Sequence, residues 1–180
     1  MVSLLQIIEN VTSILPNLRG LVMMVSLITG VAFVFFGIKA AAKRQEMGRH
    51  GGNWSGPLGM VGVGIAMIAL PGLMQTLTLT FFGTATSPDP SAIFAYSPTT
   101  IGMLDASAPG GRMLTGIVSI VMFTGIIAIM RGLLLLNATA QGGGGPKTFG
   151  PGITFCIAGS MAVNFPLFVA MMEWFITTTS

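Results

Sequence analysis

Four long stretches of the chain carry no charge, and the segments between them change character sharply. The first, Gly20 to Ile38, is about 19 residues long; at about 1.5 Å per residue it reaches roughly 28 Å, close to the hydrocarbon thickness of a bilayer. The second is the apolar part, Pro57 to Phe82, of an uncharged run from Trp54 to Thr86. Met113 to Met130 is the third, with its pattern continuing through Arg131 to Ala138, and Pro151 to Met172 is the fourth. Each predicts a transmembrane helix. Ahead of them, Val2, Leu5, Ile8, Val11 and Leu15 recur at helical spacing while Gln6, Glu9, Asn10 and Ser13 fall on other faces. That pattern predicts an amphipathic interfacial helix over residues 1–16, ending at Pro16; an irregular tail is the alternative. The segment lacks a basic start and a small-residue cleavage site, so it is expected to remain in the mature chain.

Composition agrees with a membrane protein: 52% of the 180 residues are hydrophobic and 7% charged, against about 25% charged in a soluble domain. The 25 glycines suit helices that approach closely in lipid. The placement of charge sets the orientation. Lys39, Lys43, Arg44, Arg49, Arg131 and Lys147, six of the eight basic residues, lie on or beside the two short connections. The positive-inside rule puts those connections in the cytoplasm, and both termini and the Pro/Ser/Thr-rich middle loop on the periplasmic side of a bacterial inner membrane. Arg19 and Arg112 dissent, each at the outer mouth of a span where a long side chain can snorkel.

A shift of 95 residues aligns Thr29-Gly30 with Thr124-Gly125, Gly37 with Gly132, Gly64 with Gly159 and Pro71 with Pro166. The chain therefore reads as two tandem hairpins, residues 17–86 and 112–180, separated by an extracytoplasmic loop over 87–111. Each hairpin has an even number of spans, so the copies are expected to cross the membrane in the same sense. The expected fold is all-α: four transmembrane helices as two tandem parallel-repeat hairpins, with an N-terminal amphipathic helix. Pro71 and Pro166 should kink their spans and free a carbonyl for a neighbouring helix to satisfy. Asn164, beside Pro166, either shapes a shared lumen or serves as interhelical glue. Gly62/Ala66, Ala128/Gly132 and Ala158/Ala162 offer small contact faces at spacing four.

The chemistry of catalysis is sparse. One His, one Cys and five acids are scattered along the chain, and none forms a nucleophile–base pair or a ligand cluster, so neither an enzyme nor a metal site is expected. Cys156 sits in an apolar run and is read as packing; His50 lies in a basic loop. The string "GGGGPKT" fails as a phosphate-binding loop, because Gln141 and Pro146 stand where that motif requires glycine.

The stretches "ALPGLMQTLTLTFFGT", "IFAYSP", "MRGLLLL" and "GPGITFCIAGSMAVNFPLF" resemble the IcmC/DotE family of type IVB (Dot/Icm) secretion systems, including the TraQ-like proteins of IncI-type conjugative plasmids. The likeness runs from about Leu18 to Glu173. It implies a small non-enzymatic inner-membrane component that works with other type IV secretion components, without specific nucleic-acid recognition. Each hairpin also resembles a conjugative pilin, in which two apolar helices are joined by a basic cytoplasmic loop. That likeness implies self-association, bound phospholipid in place of any other cofactor, and an extracellular pilus after assembly. The pilin loop would correspond to Lys39 through Asn53 and to Arg131 through Phe149. A typical pilin has one hairpin and a long cleaved signal, whereas this chain has two hairpins and no visible signal.

Arg131 falls near the cytoplasmic boundary of a span several ångströms longer than the hydrocarbon needs. It either snorkels to lipid phosphate or, with Lys39, contacts headgroups or lines a lumen.

Overall fold

A computed structural model of the chain describes residues 4–46, 54–83, 109–142, 146–165 and 167–168. Among these the secondary structure is helical throughout: α1 (Leu4–Glu46), α2 (Ser55–Ile68), α3 (Leu70–Phe82), α4 (Pro109–Ala140) and α5 (Pro146–Val163). Apolar runs take this form because a helix satisfies its own backbone where no water is present. The threonines within them follow the same logic. Thr29, Thr78, Thr124 and Thr154 return their hydroxyl hydrogens to carbonyls four residues back, at Val25, Met74, Ile120 and Gly150, and so carry no unpaired donor into lipid. Gly83 and Gly142, at φ +66° and +78°, end α3 and α4 in the left-handed conformation that glycine takes without strain.

Among the described residues, two helices are long and apolar enough to cross a membrane, Gln6–Glu46 and Gly116–Ala140, and a third span results if the bent pair α2–α3 counts as one. Of the expected fourth span, residues 169–172 lie outside those described, as does nearly all of the middle loop. One expectation is corrected. No separate interfacial helix ends at Pro16; α1 runs through that proline in a single element. An interior proline costs about 3 kcal/mol, yet stopping there would strip further backbone bonds, and the turns before it are packed. Ile8 and Thr12 lie against Gly116 of α4.

The second difference is the size of the break near Pro71. Instead of a kink, α2 and α3 meet at 89°, because Ala69 leaves the helical region with φ −90° and ψ 26°. The amide of Ala69 still reaches Ile65 O at 2.9 Å, and that of Leu73 reaches Ala69 O at 2.8 Å. The other proline site has the same wiring: α5 ends at Val163, Asn164 N–H donates to Ser160 O at 3.2 Å and Phe168 N–H to Asn164 O at 3.0 Å. Pro166 itself lies outside the described residues.

The chain divides into two compact units. One comprises Leu21–Leu73 and Ile127–Ala158; the other comprises Met1–Gly20, Met74–Ile126 and Gly159–Ser180. In the first, α1 and α2 cross backbone to backbone: a Cβ on Gly30 would lie 2.7 Å from Gly64 O and 2.9 Å from Ile68 N. Further along the same pair, Gly37 meets Val61 and Pro57 O. Gly132 of α4 meets Cys156 and Gly152 O of α5. In the second unit, a Cβ on Gly125 would lie 2.8 Å from Gly159 O and 2.7 Å from Val163 N, next to a core of Val118, Met122 and Phe165. Contact for contact, the Gly125 and Gly132 crossings repeat those of Gly30 and Gly37 at an offset of 95. Of the small residues expected to form contact faces, Gly132 meets Cys156 and Gly152 O and Ala162 lies against Gly125, whereas Gly62 meets nothing within 4 Å and the contacts of α2 fall on Gly56, Gly59 and Gly64.

Candidate functional site

Pro71 removes the amide that would have bonded Met67 O, the carbonyl four residues back. Ser26 of α1, fully buried, donates its hydroxyl to that carbonyl at 2.8 Å. The expected neighbouring donor is therefore present, although nothing in the sequence singled out Ser26. Replacing Ser26 with alanine is expected to lower stability by about 1 kcal/mol, read as an earlier midpoint in an SDS unfolding titration. No loss would mean that Met67 O has found another donor.

At the second break the polar group is Asn164, 1% exposed. Its Nδ2 donates to Thr78 Oγ1 at 2.8 Å and to Ser160 O at 2.9 Å. Thr78 uses its own hydrogen on Met74 O, which leaves its oxygen free to accept. The bond ties α3 to the residue just past the end of α5. It matches the interhelical-glue alternative for Asn164. Thr78 escaped notice because a threonine in an apolar helix ordinarily bonds its own backbone.

Lys43 and Arg44 occupy the last turn of α1, where positive charge complements the carbonyl end of the helix. Lys39, Lys43 and Lys147 are exposed, and Arg44 is half-buried. A Cβ on Gly56, in the first turn of α2, would stand 3.5 Å from Arg44 Nη2 and 3.2 Å from Ala140 O. Arg44 thus lies where the end of α1, the start of α2 and the carbonyl end of α4 meet, and Gly59 of α2 also touches Ala140. The Thr139 and Thr148 hydroxyls, 2.8 Å apart, fasten the end of α4 to the start of α5. The helix ends flanking both short basic connections are therefore gathered in one unit. Arg49 lies outside the described residues.

Arg131 is exposed on α4, and its guanidinium carbon stands 5.4 Å from the centre of the Phe155 ring. This cation–π contact steadies the charge by about 0.5–1 kcal/mol for an exposed pair. Phe155 was invisible as a partner, since it depends on the register in which Gly132 meets α5. One turn and a half beyond Arg131, Asn137 is 5% exposed, and its Oδ1 is the one buried side-chain polar atom among the described residues without a hydrogen bond. Cys156 Sγ rests 4.0 Å from Ile129 O beside Gly132, as expected of a packing residue.

These features define a class: an all-helical protein with helices able to span a bilayer, joined by glycine crossings and a few buried polar bonds. No protein-family model, curated protein or solved structure matches the chain.

Proposed function

We propose that this chain is a non-catalytic structural membrane subunit of a type IVB secretion or conjugation apparatus that self-assembles through its hairpins. In this reading four spans form two tandem hairpins in the inner membrane, with both termini periplasmic. A pilin-like subunit of a conjugative pilus, with bound phospholipid at the basic ends, is the form of assembly that the hairpin likeness implies. The assembly part is carried by the recurrence of the Gly30–Gly64 crossing at Gly125–Gly159: a duplicated packing unit is a means of placing like surfaces at regular intervals. The secretion part rests on the resemblance of the four sequence stretches. Exposed Lys39, Lys43 and Lys147 and the Phe155-stacked Arg131 offer cations to lipid phosphate.

A second reading, an independent small transporter or channel, is favoured by the break between α2 and α3 and the buried Asn164–Thr78 pair. Discontinuous helices with polar groups at the break are the usual material of transport sites. Electron microscopy of the purified full chain separates the two. Rings or filaments are expected; a monodisperse monomer that moves solute across liposomes would establish the second reading instead.

A further inference from the structure

The exposed side of the chain changes character at the break between α2 and α3. On α2 the exposed large side chains are Leu58, Ile65 and Ile68, as suits a helix against lipid. On α3 the exposed residues Gly72, Gln75, Thr76, Leu79 and Thr80, at about 100° per residue, fall on one arc. Met74 and Thr78 are buried and Leu73 and Leu77 half-buried on the other side. Pro71 and Phe81, exposed off this arc, stand near the two ends of the helix. The Thr80 hydroxyl returns to Thr76 O, but hydrocarbon offers the carboxamide of Gln75 no hydrogen bond, so its side of α3 requires polar surroundings.

The depth of the break can be read along α1. Its charge-free stretch lies between Arg19 and Lys39. Ser26, which donates to Met67 O at 2.8 Å, is therefore about 9 Å from the Gly20 end of that stretch and about 18 Å from the Ile38 end. Beside α1, with Gly37 at Pro57 O and Gly30 at Gly64 O, runs α2. Its 14 residues reach about 21 Å, enough for the longer of the two distances and no more. α3 then turns by 89° and gains almost no depth.

The geometry points to α3 as a surface helix, lying in the plane of the bilayer at the headgroup boundary on the Arg19 side, with Gln75, Thr76 and Thr80 turned to hydrated lipid headgroups. The distance of about 9 Å from the charged edge matches the depth of about 5–10 Å at which amphipathic interfacial helices seat their apolar face. A water-filled cavity would also solvate Gln75, but Leu79 in the middle of the arc and Ile68 exposed at the bend suit a boundary where acyl chains and headgroups mix. In the proposed topology that boundary is periplasmic. The second span is then α2 alone, short enough to thin the bilayer around it. The inference requires the chain to lie in a bilayer and depends on neither the secretion likeness nor self-assembly.

The test is nitroxide depth measurement by electron paramagnetic resonance on the full chain in phosphatidylethanolamine/phosphatidylglycerol vesicles, with Cys156→Ser as background. Single labels are placed at Leu58→Cys and Ile65→Cys on α2 and at Gly72→Cys, Thr76→Cys and Leu79→Cys on α3. Relaxation by oxygen, which partitions into acyl chains, is compared with relaxation by a water-soluble nickel chelate. The two α2 labels should differ in depth by about 10 Å, the rise of the residues between them, and the three α3 labels should share one depth at the headgroup boundary. A slope along α3 like that along α2 would mean that the span continues through the break. Relaxation of the α3 labels by nickel and not by oxygen would mean a water-filled cavity. Either result overturns the surface helix while leaving the chain in the membrane, whereas α2 labels without a slope would withdraw the membrane placement itself.

Discussion

Replacing Gly64 with alanine is expected to destabilise the protein by about 1–3 kcal/mol, whereas the same change at Gly62 should be neutral or stabilising. The two glycines sit on one helix, two residues apart. A Cβ on Gly64 would lie 2.8 Å from Gly30 O and 2.9 Å from Val34 N, both backbone atoms that no side-chain rotation can move aside. The helices would have to separate, with loss of van der Waals contact along the whole crossing. At Gly62 nothing lies within 4 Å, and alanine is a better helix former than glycine by about 1 kcal/mol. The midpoint of SDS unfolding, or of thermal aggregation in mild detergent, reads both. Gly125→Ala should resemble Gly64→Ala, because its Cβ would lie 2.7 Å from Val163 N and 2.8 Å from Gly159 O. Equal tolerance at Gly62 and Gly64 would remove the close crossing from the account, and the structural case for duplication with it.

Asn164→Asp is expected to be far more damaging than Asn164→Leu, although aspartate is nearly the same shape. Leucine forfeits the hydrogen bond to Thr78, worth about 0.6 kcal/mol on average and up to about 1.7 kcal/mol between membrane helices. An aspartate carboxylate would occupy a site 1% exposed and aim an oxygen at Ser160 O, which the amide now reaches at 2.9 Å. Thr78 cannot readily compensate, since its hydroxyl hydrogen is committed to Met74 O. A charge at such depth costs about 2.5–3.5 kcal/mol on insertion scales. Yield of folded protein and the unfolding midpoint measure the difference. A Thr78→Val/Asn164→Leu cycle should be non-additive, since each single change removes the same bond. An Asn164→Asp variant as stable as Asn164→Leu would place Asn164 in contact with water, as the transporter reading requires.

Much of the fold was legible because lipid leaves few choices. Long uncharged runs had to be helices, and the glycines spaced by 95 marked the crossings in advance. Both prolines marked the breaks: Ala69 and Asn164 each stand two residues before one. Pro16 was misleading for a physical reason. A proline's cost is local, and whether it ends a helix depends on what the turns before it gain; here Ile8 and Thr12 reach Gly116. The partners of the site were less legible still. Ser26, Thr78 and Phe155 carry no mark in the sequence that distinguishes them from other serines, threonines and phenylalanines in apolar runs.

By itself the sequence determined that the described chain is helical, that it holds segments apolar enough to suit a bilayer, and where two prolines interrupt the backbone. These follow from composition and from periodicity along one chain. Tertiary structure alone decided the 89° turn at Ala69, the donation from Ser26 to Met67 O, the Asn164–Thr78 bond and the seat of Arg131 over Phe155. Each depends on the rotation and axial register of one helix against another. A hydrophobic pattern specifies which way a helix faces, but two apolar helices can slide and turn against each other until backbone contact at residues such as Gly30 and Gly64 locks a single register.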